Sequence, residues 1–180
     1  MMKHSILDEP LEVLTEAYDT MHKRVTKSLH DAKEHTGPIL NKYIEEARKK
    51  AVELDELTEK DAEKLTLWLK RDLDDAISHL ADTDDKLIDW LGFETTRIES
   101  ALLYMLLETA DKTTVELLRL KDIAQRPYAY HTGEITGPGT LLCDQCEAKL
   151  HFHKAGHIPP CPKCHKTSFH RDGRRVLQEV

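Results

Sequence analysis

Apolar residues recur at intervals of three and four along the first two thirds of the chain, and this pattern predicts helices. Leu11, Leu14, Tyr18, Met21, Val25, Leu29 and Ala32 form one stripe close to the heptad rhythm of a coiled-coil seam, which calls for an antiparallel helical partner. His35-Thr-Gly-Pro38 breaks the stripe, and Leu40, Tyr43, Ala47, Ala51 and Leu54 resume it. Thr58 with Asp61 reads as a capping box in its Asp form. A helix starting there turns Ala62, Leu65, Leu69, Leu73, Ile77 and Leu80 inward and ends near Ala81. A short piece follows from Asp82 through Leu91, broken at Gly92. A last long helix spans 94–125, weakened at Thr113, Thr114 and Val115 and closed by Pro127. Each helix carries one apolar stripe and no sheet to cover it. Residues 1–126 are therefore expected to fold as an antiparallel helical hairpin or small coiled-coil-like bundle. The stripes read as core, with no buried histidine among them, and Trp68 and Trp90 read as core or partner anchors.

The period changes after Pro127. Glycines at 133, 137 and 139 alternate turns with short strands, and Leu150 and Phe152 alternate with His151 and His153 as in a half-buried strand. A final strand carries Phe169. The Gly-rich stretch lacks a following Lys-Ser/Thr and opens no helix, which argues against a phosphate cradle. The chain thus reads as mainly α: a helical domain, 1–126, followed by a small β domain, 127–180.

The chemistry is concentrated in four cysteines, Cys143-Asp-Gln-Cys146 and Cys161-Pro-Lys-Cys164, separated by fourteen residues. Two Cys-x-x-Cys knuckles supply the donors of one tetrahedral zinc site, a zinc ribbon. Four thiolates leave no coordination position for substrate or water, so the metal is expected to be structural. Rubredoxin-like iron, a redox pair and two disulfides are the competing readings. Against them stand Glu147 and His165, where rubredoxin-like sites have glycine after each knuckle, the missing βαβ context, and a first ten residues without an apolar core of signal-peptide length. The cytoplasm is the compartment expected. Six of the eleven histidines (His131, His151, His153, His157, His165 and His170) lie between 131 and 170; they read as a solvated face, with a second metal site as the alternative.

Composition supports long solvated helices beside a small module: 33% of residues are charged, 6% aromatic and 39% hydrophobic, less apolar than a compact enzyme of this length. The longest apolar run, 101–107, is far below the ~20 residues that span a bilayer, so no membrane partner is expected. Residues 1–126 hold 19 Lys/Arg against 28 Asp/Glu, and residues 127–180 hold 7 against 5. The helical part should repel nucleic acid, whereas the ribbon could touch it or an acidic protein surface.

Leu57-Thr-x-x-Asp61, Leu69-Lys-Arg-Asp-Leu-Asp-Asp75, Ala110-Asp-Lys-Thr113 and the stretch from Tyr130-His-Thr-Gly-Glu134 to Leu142-Cys143 together resemble the YbeL-like zinc ribbon-containing family of bacteria. The resemblance covers roughly 57–171. It implies a helical N-terminal region, a ribbon carried by Cys143, Cys146, Cys161 and Cys164, and no assigned activity. His165 departs from the usual Cys-Pro-x-Cys-Gly, where glycine would tolerate a left-handed backbone.

A non-enzymatic zinc-ribbon protein that binds a protein partner is the leading expectation, since no nucleophile, base and oxyanion set is recognisable. One alternative is a transcription regulator resembling RNA-polymerase secondary-channel factors, with Asp82, Asp84 and Asp85 at a hairpin tip or, more simply, as helix caps. Another is nucleic-acid binding through Lys149, Lys154, Lys163, Lys166, Arg171, Arg174 and Arg175, with Phe152 or Phe169 stacking on bases. A homodimer is a further expectation, because residues 8–34 need a partner for their stripe. If the two domains are independent, zinc loss should unfold 127–180 and leave the helices nearly intact.

Overall fold

The computed structural model describes residues 10–32, 36–82 and 129–171. Three helices, α1 (Leu11–His30), α2 (Gly37–Glu53) and α3 (Glu59–Asp82), precede six short strands. These are β1 (Tyr130–His131), β2 (Ile135–Thr136), β3 (Gly139–Cys143), β4 (Lys149–Phe152), β5 (Gly156–His157) and β6 (Ser168–Arg171). The expected piece through Leu91, the helix over 94–125, Trp90, the acidic pair Asp84 and Asp85, and Arg174 and Arg175 lie outside the described residues.

Local chemistry sets the helix starts. Pro38 sits in the first turn of α2, where a fixed φ costs nothing and a missing N–H would have had no partner. At α3 the Thr58 hydroxyl oxygen accepts from the Asp61 backbone N–H (3.2 Å) while its own hydrogen points to the Asp61 carboxylate (3.2 Å). Between α2 and α3 the chain turns through Asp55 in the left-handed region, at φ 54°.

Leu14, Tyr18, Met21, Val25 and Leu29 of α1, Leu40, Ile44, Ala47 and Ala51 of α2, and Ala62, Leu65, Leu69, Leu73 and Ile77 of α3 form one buried core. The α1 stripe is thus buried against α2 and α3 of the same chain. The expected stripes shift only at their margins. Leu11 and Leu54, at helix ends, are exposed, and Ile44 takes the inward position on α2 in place of the half-buried Tyr43. Arg24 clamps Glu56 with two hydrogen bonds of 2.7 and 2.6 Å, and Lys70 reaches Glu45 at 2.7 Å, tying α1 to the α2–α3 turn and α2 to α3.

One expectation fails inside this core. His22 of α1 is buried, its ring stacked near that of Tyr18 (centroids 6.2 Å apart). Burial, opposed by the nearby Asp72 carboxylate, lowers its pKa to about 4. A histidine held neutral in the folded state protonates more readily in the unfolded chain, so stability is lost as pH falls from about 6.5 toward about 4. The loss should reach ~3 kcal/mol at most. Urea titrations across this window should show the decline, and His22→Gln should flatten it.

The C-terminal strands form an antiparallel four-stranded sheet of order β1-β6-β3-β4 and a separate two-stranded ribbon, β2-β5. Tyr130, Leu141, Leu150, Ile158 and Phe169 make a second core beside the cysteines. The β2-β5 ribbon serves a different purpose: its Ile135, with Ala155 from the adjoining turn, is buried in the helical core. The helices and the ribbon therefore share packing through Ile135 and Ala155.

Candidate metal centre

The four cysteines predicted as ligands converge. Cys143 closes β3, Cys146 ends the turn before β4, and Cys161 and Cys164 occupy the turn that leads into β6. Their sulfur atoms all lie within 4.8 Å of one another, with Cys143 and Cys164 Sγ 3.5 Å apart and Cys146 and Cys161 Sγ 3.6 Å apart. These separations are near the edge of a tetrahedron built on Zn–S bonds of about 2.3 Å. Each knuckle closes in the same way: the N–H of Glu147 donates to the Cys143 carbonyl and that of His165 to the Cys161 carbonyl, both at 2.9 Å. This closure puts Glu147 and His165 in the left-handed region, at φ 57° and 60°. A side chain there is strained, as the missing glycine foretold. His165→Gly should raise the urea midpoint, with a gain of about 0.5–1 kcal/mol after the extra entropy of glycine in the unfolded chain is subtracted.

Without metal the thiols could not all ionise. Burial opposes the Cys161 thiolate, but backbone N–H groups of Cys164 and Lys163 and the Cys146 thiol bring its pKa down to about 6. Cys164 accepts a hydrogen bond from the Lys166 N–H, yet burial and the neighbouring thiols push it up to about 12. Cys161 forms a thiolate easily while Cys164 resists, because the Cys164 thiol is half-buried and hydrogen-bonded to its neighbours. A divalent cation removes that conflict. Four soft donors at tetrahedral spacing fit one structural zinc ion. Held there, zinc would supply cross-linking of the two knuckles, with Cys143, Cys146, Cys161 and Cys164 as its ligands.

Among the described residues no histidine joins a group able to hold a metal. His170 instead contacts the Asp144 carboxylate through Nδ1 at 2.6 Å, and the Ser168 hydroxyl donates to the other Asp144 oxygen, pinning the first knuckle to β6. His151 is exposed on β4, its Nδ1 2.8 Å from the Thr140 hydroxyl. Two nucleic-acid candidates are corrected by burial: Phe169 lies wholly in the ribbon core and Arg171 is 2% exposed. Lys149, Lys154, Lys163 and Lys166 remain exposed, and Phe152 is half-buried.

Arg171 belongs to a buried polar seam that docks the ribbon on α3, and this seam the pattern of residues did not reveal. Asp72 Oδ2 accepts from the Tyr18 hydroxyl (2.7 Å), the Gly137 N–H (2.6 Å) and the Thr136 hydroxyl (3.1 Å). Arg171 donates to Thr136 Oγ1 (2.8 Å), to the Gly137 and Pro138 carbonyls (3.2 and 3.3 Å) and to the Tyr130 hydroxyl (3.3 Å), and lies 3.7 Å from Asp72 Oδ1. The Tyr130 hydroxyl donates to Asp75. Arg71 lies over the Tyr130 ring at 3.7 Å and pairs with Glu134 at 2.5 Å. Burial would raise the Asp72 carboxyl, but Arg171 and Arg71, with the Gly137 N–H and the Tyr18 hydroxyl, hold it below its usual range. The charged run of α3 and the Tyr-His-Thr-Gly-Glu stretch are thus two halves of one contact. Inward charges at 71, 72 and 75, beside the apolar stripe positions 69, 73 and 77, were its available signal.

Gly139 is where this seam is least tolerant. Its φ is +139°, and a Cβ added there would lie 2.0 Å from Arg171 Nη1 and 3.0 Å from Cζ. Arg171 is too firmly bonded to swing aside cheaply. Gly139→Ala should cost about 3 kcal/mol in urea unfolding from strain and lost hydrogen bonds together. A cycle with Arg171→Ala should show the two effects to be strongly non-additive.

A four-cysteine, two-knuckle centre on a small antiparallel sheet defines a zinc ribbon, here joined to a helical unit. The chain matches the family model described as "Zinc-ribbon containing domain" over residues 27–173, and it belongs to that family. It is similar to "Uncharacterized protein YbeL" of Escherichia coli (strain K12), with 26% identity over 150 residues, covering 83% of this chain and 92% of the relative. The proteins of the same description from Escherichia coli O6:H1 and O157:H7 match at the same identity and coverage. No solved structure matches the chain.

Proposed function

We propose that the protein is a non-enzymatic binding protein in which zinc fixes the ribbon, the ribbon is docked on a small antiparallel helical bundle, and the exposed ribbon surface engages a protein partner in the cytoplasm. The reading rests on one observation: the four thiolates that converge are enough to fill a tetrahedral sphere, which leaves the metal no position for substrate. Short connections, 31–36 and 54–58, favour antiparallel neighbours. Among the described residues no helix is long and apolar enough to cross a membrane. The exposed side chains of the second knuckle, Lys163, His165 and Lys166, suit an acidic protein surface.

Affinity capture from a nuclease-treated bacterial lysate tests this reading, with the zinc-loaded protein as bait and Lys163→Glu/Lys166→Glu as control. A defined protein retained by the first bait and lost with the second supports it; RNA-polymerase subunits in that role would specify the transcription reading. Capture that vanishes on nuclease treatment would overturn it in favour of nucleic acid.

A further inference from the structure

The two strands that lead from the knuckles also carry the seam. β3 and β6 pair with Cys143 opposite Phe169 and Leu141 opposite Arg171. The metal end of this pair is therefore only about 7 Å from the end that enters the helices. Beyond Cys143 the pair meets the cysteine cluster; beyond Arg171 it meets Asp72, Thr136 and Gly137. A displacement of β6 at the second knuckle cannot stay local, because Arg171 has no slack: it is buried and makes four kinds of hydrogen bond at once.

The arrangement is also unstable without its cation. Arg171 cannot lose its charge, and its burial is tolerable only while Asp72 and the surrounding oxygens face it. The ribbon core of Tyr130, Leu141, Leu150, Ile158 and Phe169 is too small to hold the strand pair unaided, so metal binding supplies the missing stability. When the strand pair loosens, Asp72 loses the facing Arg171 guanidinium, and Thr136 Oγ1 and the Gly137 carbonyl, which the β2-β5 ribbon holds beside it, lose the donors that Arg171 supplied. Asp72 Oδ1 and two Arg71 nitrogens, Nε and Nη2, are already buried without a hydrogen-bond partner, with Arg71 Nε 3.5 Å from Oδ1, so withdrawal of Arg171 adds to polar groups on the helical side that are already unmet.

We propose that Arg171 is a latch that makes docking and stability of α3 depend on metal in the ribbon: a filled four-cysteine site seats Arg171 against Asp72, and loss of the metal withdraws it and loosens α1 and α3. Zinc occupancy then changes which surface the helices present, with the acidic run 72–75 covered in the loaded state and uncovered in the metal-free one. Linkage requires the converse as well, since whatever zinc contributes to docking, docking contributes to zinc affinity.

Hydrogen exchange on the full chain, zinc-loaded and after treatment with a chelator, tests this, together with zinc affinity measured by competition with a chromophoric chelator. In the natural protein, zinc removal should speed exchange of α3 amides at 69–77 about tenfold or more, within the range of ordinary coupling between linked sites. Zinc-loaded Arg171→Met should still bind one zinc, but with faster α3 exchange and an affinity weakened by a similar factor; Arg171→Lys, which keeps the charge and loses the fork, should fall between. Should Arg171→Met fail to fold, Thr136→Val provides the same comparison through a smaller change, and the experiment on the natural protein stands regardless. The proposal is overturned if α3 exchange is the same with and without zinc, or if zinc-loaded Arg171→Met or Thr136→Val matches the natural protein in both exchange and zinc affinity.

Discussion

Cys161→Ser is expected to abolish stable zinc binding and unfold the ribbon. Serine cannot supply the soft anionic donor that the site requires, because its hydroxyl does not ionise near neutral pH. Cys161 is buried in the ribbon core, at the start of the turn before β6, where its backbone N–H donates to the Lys166 carbonyl at 2.9 Å, so the ligand is lost inside the packed part of the ribbon. Structural zinc contributes about 10–16 kcal/mol of apparent binding energy in small zinc modules. Forfeiting one ligand should weaken affinity on the order of a thousandfold or more. Metal analysis should show the zinc content falling from one per chain to near zero, and the near-ultraviolet circular dichroism of Tyr130 and Phe169 should be lost with it. Retention of one zinc would mean that another group replaces Cys161.

Asp72→Ala should destabilise the folded protein by about 3–5 kcal/mol, the cost of removing one partner from a buried charge pair. The loss is large because Asp72 serves both sides of the seam. From the helices it accepts the Tyr18 hydroxyl, and from the ribbon the Gly137 N–H and the Thr136 hydroxyl. It also faces two buried guanidinium groups, with Arg71 Nε at 3.5 Å and Arg171 Nη2 at 3.7 Å from Oδ1. Alanine would strand those cations and donors away from water. Urea unfolding followed by both helix and tyrosine signals should report the effect, and an effect below about 1 kcal/mol would mean that the seam is hydrated or loose. The carboxyl is held below its usual range, so its contribution is present at neutral pH and is lost as pH falls through its lowered folded value.

What the sequence made legible follows from range. The stripe on α1, the Thr58–Asp61 cap and the two knuckles are local patterns, in which spacing alone decides the geometry, and each appears where expected. The left-handed backbone at His165 was legible for the same reason, as a residue standing where glycine is usual. The seam was not, because its halves are separated by 64 and 65 residues at Thr136 and Gly137. Periodicity marks which face of α3 turns inward, but it cannot say that an aspartate on that face will meet a backbone N–H from a distant turn. A basic residue near the end of a small ribbon reads as solvent-facing by default, which is why Arg171 was grouped with the surface lysines. Burial inverts its role from contacting a partner to holding the molecule together. His22 was hidden in a similar way: it lies beside Met21, and tertiary packing, with its ring stacked near that of Tyr18, withdraws it from water.

The central claim is that one zinc ion is held in a closed shell of four thiolates, and zinc K-edge X-ray absorption on the purified full chain tests it most directly. The account predicts four sulfur scatterers at about 2.3 Å and no lighter atom in the first shell. A nitrogen or oxygen at about 2.0–2.1 Å would contradict it, because a histidine would have displaced a cysteine or a water would hold an open, reactive position.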